Sequence, residues 1–438
     1  KGDRLVETGW QEAMELVAKR LGSYKGRRFA MLLSGVLTNE ALRAAKTFSE
    51  RIMNSRAVAE DTSSDFKLTE IIQGPLLVVG DLAETNPAAE LAIRSSKPVV
   101  LSPFRTMLAK KASVWLRCRP GDEPLVLDAI AKASVQDNTE ELGDTKISAE
   151  EILKAARALR KASVVVGPDC SRDVRAAADN LVRAIGGKLC LVGRNCNSRG
   201  AAALGLDKGY DETIRSLMSG EIKAAYIVGS NPARTDPKLA ESLSELEFIV
   251  VQDLFLTETA KLANVVLPAA SFAEIEGTYT SSDGRILQLM PALAPISKSD
   301  MQIISELCHK MKGCVANDLA SLRLEGTKTR IGNGMQSREN PASGSFILVE
   351  GPCIFEFGSG TRTSRVHDLQ YLNKDRYVEI HPRDAALHKI SNGEPVRIES
   401  KGRSIKGLAR VSMRVPEGVM RICGLVSNIS SAEVRRDV

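Results

Sequence analysis

The amino-acid sequence predicts an α/β protein, with two related doubly wound domains followed by a small β-barrel. Three observations carry that expectation. Short apolar runs ending in Gly, Asp or Ser alternate with helical patterns over the first ~320 residues. One block of this alternation recurs about 150 residues downstream. Beyond residue 344 the period shortens to the two-residue alternation of strands.

Along the chain, "GWQEAMELVAKRL" is amphipathic at helical spacing, and its acids rule out a signal peptide. "RRFAMLLSG" reads as a buried strand. It is followed by the helix "TNEALRAAKTFSERIM", with Thr38 or Asn39 as cap. "GPLLVVGD", "KPVVLSP", "ASVVVGPD", "KAAYIVGSN" and "EFIVVQD" are the near-continuous apolar strands of parallel sheets. "SAEEILKAARALRKA" opens on a capping box from Ser148 to Glu151.

The repeat lays "LLVVGDLAETNPAAELAIRSSKPVVLSPFRTMLAKKASVWL" over "AYIVGSNPARTDPKLAESLSELEFIVVQDLFLTETAKLANVVL". Gly80 matches Gly229, Asn86-Pro87 matches Asp236-Pro237, Lys110 matches Lys261 and Val114 matches Val265. Each copy reads strand, turn, helix, strand, short helix, strand, and a ligand is expected beyond the carboxyl ends of those strands. From Thr327 to Gly344 the chain is rich in Gly, Ser and Asn and reads as a linker. "FILVEG", "RYVEIHP", "EPVRIESK", "SIKGLARVS" and "GVMRICG" then supply strands for a barrel of about 95 residues.

Composition narrows the function classes. At 438 residues, with 43% hydrophobic and 26% charged residues, the chain is an ordinary globular protein of several domains. A net charge of +6 and 4% aromatics do not suggest a nucleic-acid platform. No apolar run is long enough to span a membrane. The eight cysteines contain no C-x-x-C and read as mostly buried thiols in a reducing, cytoplasmic setting. No histidine pair, G-x-S-x-G elbow or P-loop is present, so no catalytic residue and no metal ligand is assigned.

Three stretches could hold a ligand. "VGSNPARTDP", 228–237, joins a strand to a helix, where backbone N–H groups can meet a phosphate, or it is a plain connection. In 250–288 Asp253 ends a strand and could accept two hydrogen bonds from a guanine-like edge, or simply cap a helix. Thr257 and Thr259 open a helix, and Leu267 to Gln288 reads as a long loop packed on something polar. "GSGTRTSR" offers Gly358 and Gly360 for a turn, Thr361 and Thr363 as hydroxyl donors, and Arg362 and Arg365 as phosphate forks. The same residues suit a solvated linker.

Together these motifs resemble the molybdopterin oxidoreductase superfamily, specifically formate dehydrogenase α subunits and the G subunit of complex I. The resemblance covers nearly the whole chain. "GWQEAMELVAKRL" looks like the family's W-x-E-A helix, "LTNEALRAAKTF" its TNEE…QK helix, and "RTMLAKKASVWLRCRPGDEPLVL" its R-T-E-L-A…RPGTD stretch. "CNSRGAAALG" is similar to the turn closing an inserted domain. The resemblance implies two Rossmann-like domains, one inserted in the other. Residues 1–57 and 208–326 would form the first and 58–207 the insert. A 327–344 linker and a 345–438 dinucleotide-binding barrel would follow. "VGSNP", the 250–285 stretch and "GTRTSRV…YVEIHPRDA" line the guanine dinucleotide groove in the family. Carried over, the contacts are Asn231, Asp253, Thr257, Glu276, Gly277, Thr278, Arg285, Thr361, Thr363 and Arg365.

The departures point away from turnover. Catalytic members place a Cys, selenocysteine or Ser on the metal, followed by a glycine-rich helix. Here 54–71 reads "NSRAVAEDTSSDFKLTEI", which is short and has no Cys; Ser63 or Ser64 would be the oxygen alternatives. The family's catalytic His is missing too. The expected role is a non-catalytic, complex I G-like subunit in the cytoplasm. It would scaffold iron–sulfur clusters held on a segment upstream of Lys1 or on a partner, beside flavin- or NADH-binding subunits. It could retain molybdopterin guanine dinucleotide or have lost it. An active formate dehydrogenase-like enzyme and a cofactor-free assembly module are the alternatives.

Overall fold

A computed structural model describes residues 5–59, 68–136, 145–311, 345–351, 355–372, 376–400, 402–423 and 428–437. The chain forms two compact units, residues 1–65 with 193–329 and residues 66–192 with 330–438. The first unit begins with α1 (Trp10–Leu21), β1 (Phe29–Leu33), α2 (Asn39–Thr47) and β2 (Ala57–Ala59). The second begins with α3 (Leu68–Ile71), β3 (Leu76–Val79), α4 (Leu82–Thr85), α5 (Pro87–Ile93), β4 (Val99–Leu101) and β5 (Val114–Leu116). It continues with α6 (Glu123–Gln136), α7 (Ala149–Ala158), β6 (Ser163–Val166), α8 (Arg172–Ile185) and β7 (Lys188–Leu191).

The chain returns to the first unit as α9 (Ser198–Ala203), α10 (Tyr210–Met218), β8 (Ala224–Val228), α11 (Pro232–Thr235), α12 (Pro237–Ser244) and β9 (Phe248–Asp253). Next come α13 (Glu258–Lys261), β10 (Val265–Pro268), β11 (Gly277–Thr280), β12 (Ile286–Leu289) and α14 (Asp300–Lys310). The second unit ends with β13 (Phe346–Gly351), α15 (His367–Leu372), β14 (Tyr377–Ile380), α16 (Pro382–Leu387), β15 (Pro395–Ser400), β16 (Arg403–Val411), β17 (Val419–Cys423) and β18 (Asn428–Arg436).

Each unit holds a five-stranded parallel sheet, ordered β10-β9-β8-β1-β2 in the first and β5-β4-β3-β6-β7 in the second. Both faces of each sheet are buried. Met31, Leu33, Tyr226 and Val250 enter one core of the first unit, and Ala30, Leu32, Ile227 and Val251 the other. That two-sided burial is why the strands read as unbroken apolar runs. The repeat is nearly element for element, with β3-α4-α5-β4-β5 answering β8-α11-α12-β9-α13-β10. The barrel is closed by six strands ordered β13-β17-β14-β16-β15-β18, and closure removes every sheet edge. Its core gathers Leu348, Ile380, Ile398, Met420 and Val434.

Local signals act as expected at the caps. The Thr38 hydroxyl accepts from Ala41 N at 3.2 Å, and Ser148 with Glu151 forms a capping box. Two expectations are corrected. The stretch read as a long loop contains the β11–β12 hairpin, hidden because "GTYT" buries its glycine and a threonine rather than alternating apolar side chains. Cysteines 118, 170, 190, 196 and 308 are outside any disulfide, but Cys423 is in one, which departs from a purely reducing reading. The expected linker 327–344, Ser63 and Ser64 lie outside the described residues. Among the described residues no helix is long and apolar enough to cross a membrane.

Candidate functional site

In an α/β sheet a ligand is expected beyond the carboxyl ends, where the strand order reverses. In the first unit that point falls between β1 and β8. Gly229 leaves β8 with φ +64°, and a Cβ there would lie 3.3 Å from Leu37 Cδ2, so the turn needs glycine. Asn231 follows as the N-cap residue of α11. Its Oδ1 accepts from Thr259 N at 3.0 Å and Thr259 Oγ1 at 2.8 Å, while its Nδ2 donates to Glu258 at 2.7 Å. Asn231 thereby ties the end of β8 to α13. Desolvation works against the Glu258 carboxylate, but Asn231 and Arg234 hold it below the usual carboxylate range. Asp253 ends β9 and is buried, with Oδ1 accepting from Leu254 N at 2.7 Å. The Thr257 hydroxyl caps α13 by accepting from Ala260 N at 3.1 Å.

The hairpin is fastened by a neutral network and one carboxylate. A Cβ on Gly277 would lie 2.8 Å from Thr38 Cγ2 and 2.9 Å from Glu40 Oε2, so only glycine permits this approach. Thr278 donates to Glu40 through N at 2.9 Å and Oγ1 at 2.7 Å, and accepts from Asn39 Nδ2 at 3.0 Å. Asn197, wholly buried, accepts from Thr280 N at 2.7 Å and donates to Leu37 O at 2.8 Å. From the sequence Asn39 was read only as an alternative helix cap, and Asn197 was given no role. Their signal was the small-residue helix "SRGAAA", which lets buried amides approach a backbone closely. Glu276 and Arg285 are exposed, and Arg285 pairs with Asp283 at 2.6 Å.

Glu276, Gly277 and Thr278 line a cleft of about 950 Å³ with Thr38, Glu40 and the segment 291–302. Asn231, Asp253, Thr257 and Arg285 do not line it. Glu40, Glu274, Glu276 and Asp300 face it against Arg43 and Lys298, a negative balance that disfavours phosphate. In the second unit Thr361, Thr363 and Arg365 share one tight turn. Gly358 (φ +59°) and Gly360 (φ +68°) lead into it. Thr363 Oγ1 accepts from Phe357 N at 3.2 Å, and Arg365 donates to Thr361 O. Thr361 is buried, whereas Arg362 and Arg365 are exposed.

Each unit taken by itself has groups whose chemistry suits part of a guanine dinucleotide. In the first unit Asp253 carries a carboxylate at a strand end. In the second the glycine-hinged loop has open space around Gly358 and the exposed guanidiniums of Arg362 and Arg365. Among the described residues no group of three His, Cys, Asp or Glu side chains is arranged to hold a metal ion by itself.

Residues 137–310 match the family described as Molybdopterin oxidoreductase, and residues 346–423, on the barrel, match the Molydopterin dinucleotide binding domain. F420-dependent formate dehydrogenase subunit alpha of Methanocaldococcus jannaschii is 26% identical, over 96% of this chain and 84% of its own length. NADPH-Fe(3+) oxidoreductase subunit alpha of Geobacter sulfurreducens is 27% identical over 75% of this chain, and the match spans half of that protein. An NADH-quinone oxidoreductase subunit of Rhizobium meliloti is 23% identical over 95% of this chain and 62% of its own length. Acetylene hydratase from Pelobacter acetylenicus shares the fold, with a TM-score of 0.69 over 96% of this chain and 82% of that one, at 15% identity. With both profiles matched in chain order on the elements that carry the site, the chain belongs to the molybdopterin oxidoreductase family and has a molybdopterin dinucleotide-binding domain as its barrel.

Proposed function

We propose that this chain is a non-catalytic subunit of a redox complex. Its α/β domains and barrel scaffold electron transfer between iron–sulfur clusters carried elsewhere, beside flavin- or NADH-binding subunits. The observation that carries the reading is how the family's groove residues are used. Asn231, Gly277 and Thr278 are engaged by neighbouring elements of the same unit, and Thr257 caps its own helix. Such residues persist for the architecture, whether or not anything is turned over. The short, cysteine-free segment 54–71 agrees with this, as do relatives that are, by name, subunits.

If a molybdopterin guanine dinucleotide is retained, Asp253 would accept hydrogen bonds from the base edge. In the second unit, considered by itself, Arg362 and Arg365 would offer forks to a phosphate, with Thr361 and Thr363 shaping the turn. With a metal the group supplies redox chemistry, and no residue described here is assigned a step in it.

The test is metal analysis of the native complex, together with pterin fluorescence after oxidative release. Molybdenum and tungsten far below one equivalent per chain are expected. A value near one equivalent would establish the second reading, an active formate dehydrogenase-like enzyme. The similarity to a formate dehydrogenase subunit across 96% of this chain favours that reading. Pterin without metal would mean a retained ligand, and neither would mean a cofactor-free assembly module.

A further inference from the structure

The two parallel sheets share one repeat, yet their carboxyl edges differ. In the second unit the order reverses between β3 and β6, so a ligand crevice is expected between Gly80–Asp81 and Gly167–Ser171. Asp81 is the N-cap of α4 as Asn231 is of α11, but the turn is one residue shorter and has no counterpart of Ser230. Cys170 Sγ lies 3.5 Å from Val79 O, and a Cβ on Gly80 would meet that sulfur at 2.9 Å. The thiol therefore closes the gap between the strand ends.

Barrel residues fill the remainder. Arg414 donates to Asp81 at 2.8 Å and to Glu84 at 2.7 Å, and Arg421 pairs with Glu84. Both guanidiniums lie 3.6 Å from the Glu379 carboxylate. Just beyond β4, Arg105 N donates to Arg414 O at 2.9 Å. Phe104 packs on Ile347, Val349 and Val419, with the Arg421 guanidinium 5.6 Å above its ring.

We propose that this edge is a permanent dock for the barrel and takes no nucleotide, which leaves the first unit's sheet as the α/β edge available to a dinucleotide. The second half rests on the function proposed above; the dock does not. Three carboxylates face two guanidiniums, so the cluster is net negative and has no positive charge to spare for phosphate. A phosphate would also have to break ion pairs whose Glu84, Glu379 and Arg421 side chains are no more than 9% exposed.

Hydrogen exchange on the full chain with GDP as probe tests both halves. GDP should slow exchange within residues 229–258 and leave residues 80–119 and 167–171 unchanged. Slowing in either of the latter segments would overturn the proposal. If GDP slows nothing, the dinucleotide reading fails and the dock is judged on its own by Arg421→Met. That change should speed exchange in residues 80–106 and in β17 together, roughly tenfold or more, while sparing β8 and β9. Loss of protection on one side only, or on neither, would overturn the dock. Glu84→Gln serves the same purpose should the arginine variant fail to fold.

Discussion

The carboxyl edges of the two parallel sheets are copies of one backbone plan stabilised by different chemistry. Around β1 and β8 the joints are mostly amides and hydroxyls, with Asn39, Asn197 and Asn231 bonding Thr278, Thr280 and Thr259. Around β3 the joint is ionic, linking Asp81, Glu84 and Glu379 to Arg414 and Arg421. The repeat therefore fixes where strands and helices run, while the polar residues at strand ends decide what each edge meets. Neutral joints leave a surface that depends little on pH. Ionic joints bind one partner strongly and reject a competing anion.

Breaking the ionic edge should have the largest effect. Arg421→Met leaves Glu84 buried beside a weakened set of partners and should cost about 3–5 kcal/mol. Trp10 lies in the first unit and Trp115 in the second, so urea unfolding of single-tryptophan variants follows each unit separately. The loss should show at Trp115. The matching break in the neutral edge, Asn197→Ala, strands the Thr280 N–H and the Leu37 carbonyl and should cost about 2–4 kcal/mol, read at Trp10. A loss at the wrong tryptophan in either case would show that the edges are not separate devices.

A smaller effect sharpens the contrast. Burial, then the Glu84 charge, raises the Asp81 pKa despite both arginines. A carboxyl whose folded pKa is raised stabilises most below its ordinary value, and that contribution is lost as pH rises through the folded value. Asp81→Asn should therefore lie within about 1 kcal/mol of the parent near neutral pH. The parent should gain on the variant as pH falls toward the usual carboxylate range, as seen in paired urea midpoints. A difference independent of pH would mean that Asp81 does not titrate with folding. No comparable trend should accompany Asn197→Ala across the same range.

The smallest perturbation is chemical labelling. Each edge carries one cysteine against a strand-end carbonyl, Cys196 at 3.9 Å from Gly35 O and Cys170 at 3.5 Å from Val79 O. Cys196 is exposed, whereas burial pushes the Cys170 thiol up to about 12. Iodoacetamide at pH 8 should modify Cys196 in the native protein and spare Cys170, with peptide mapping as the readout. Prompt modification of Cys170 would mean the dock opens.

Much of this architecture was legible in the sequence. Strands buried on both faces announce themselves as apolar runs, and the offset of Gly80 and Gly229 disclosed the repeat. The hairpin was not legible because its buried residues are glycine and threonine. β18 was missed because its inward residues, Ser430, Ala432 and Val434, are small or separated by charges. The site was legible as a set of positions but not as a set of roles. Nothing local in "VGSNP" says that the Asn231 side chain turns toward Thr259. Nor does "VVGDLAE" reveal that its acids meet arginines more than three hundred residues away. Such pairings are decided by tertiary placement, which spacing does not encode.

The interruption of the first unit also has a kinetic consequence. β1 pairs with β8 in register from Phe29↔Ala224 to Leu33↔Val228, so during synthesis β1 waits about two hundred residues for its central neighbour. β3–β7 emerge within that interval, and their sheet can form from strands that lie closer together in sequence. Translation would therefore finish the inserted sheet first and leave Phe29–Leu33 exposed on the ribosome. Nascent chains arrested before residue 224 should be bound by chaperones at that strand and released once β8 emerges; release before β8 would show that β1 is protected earlier.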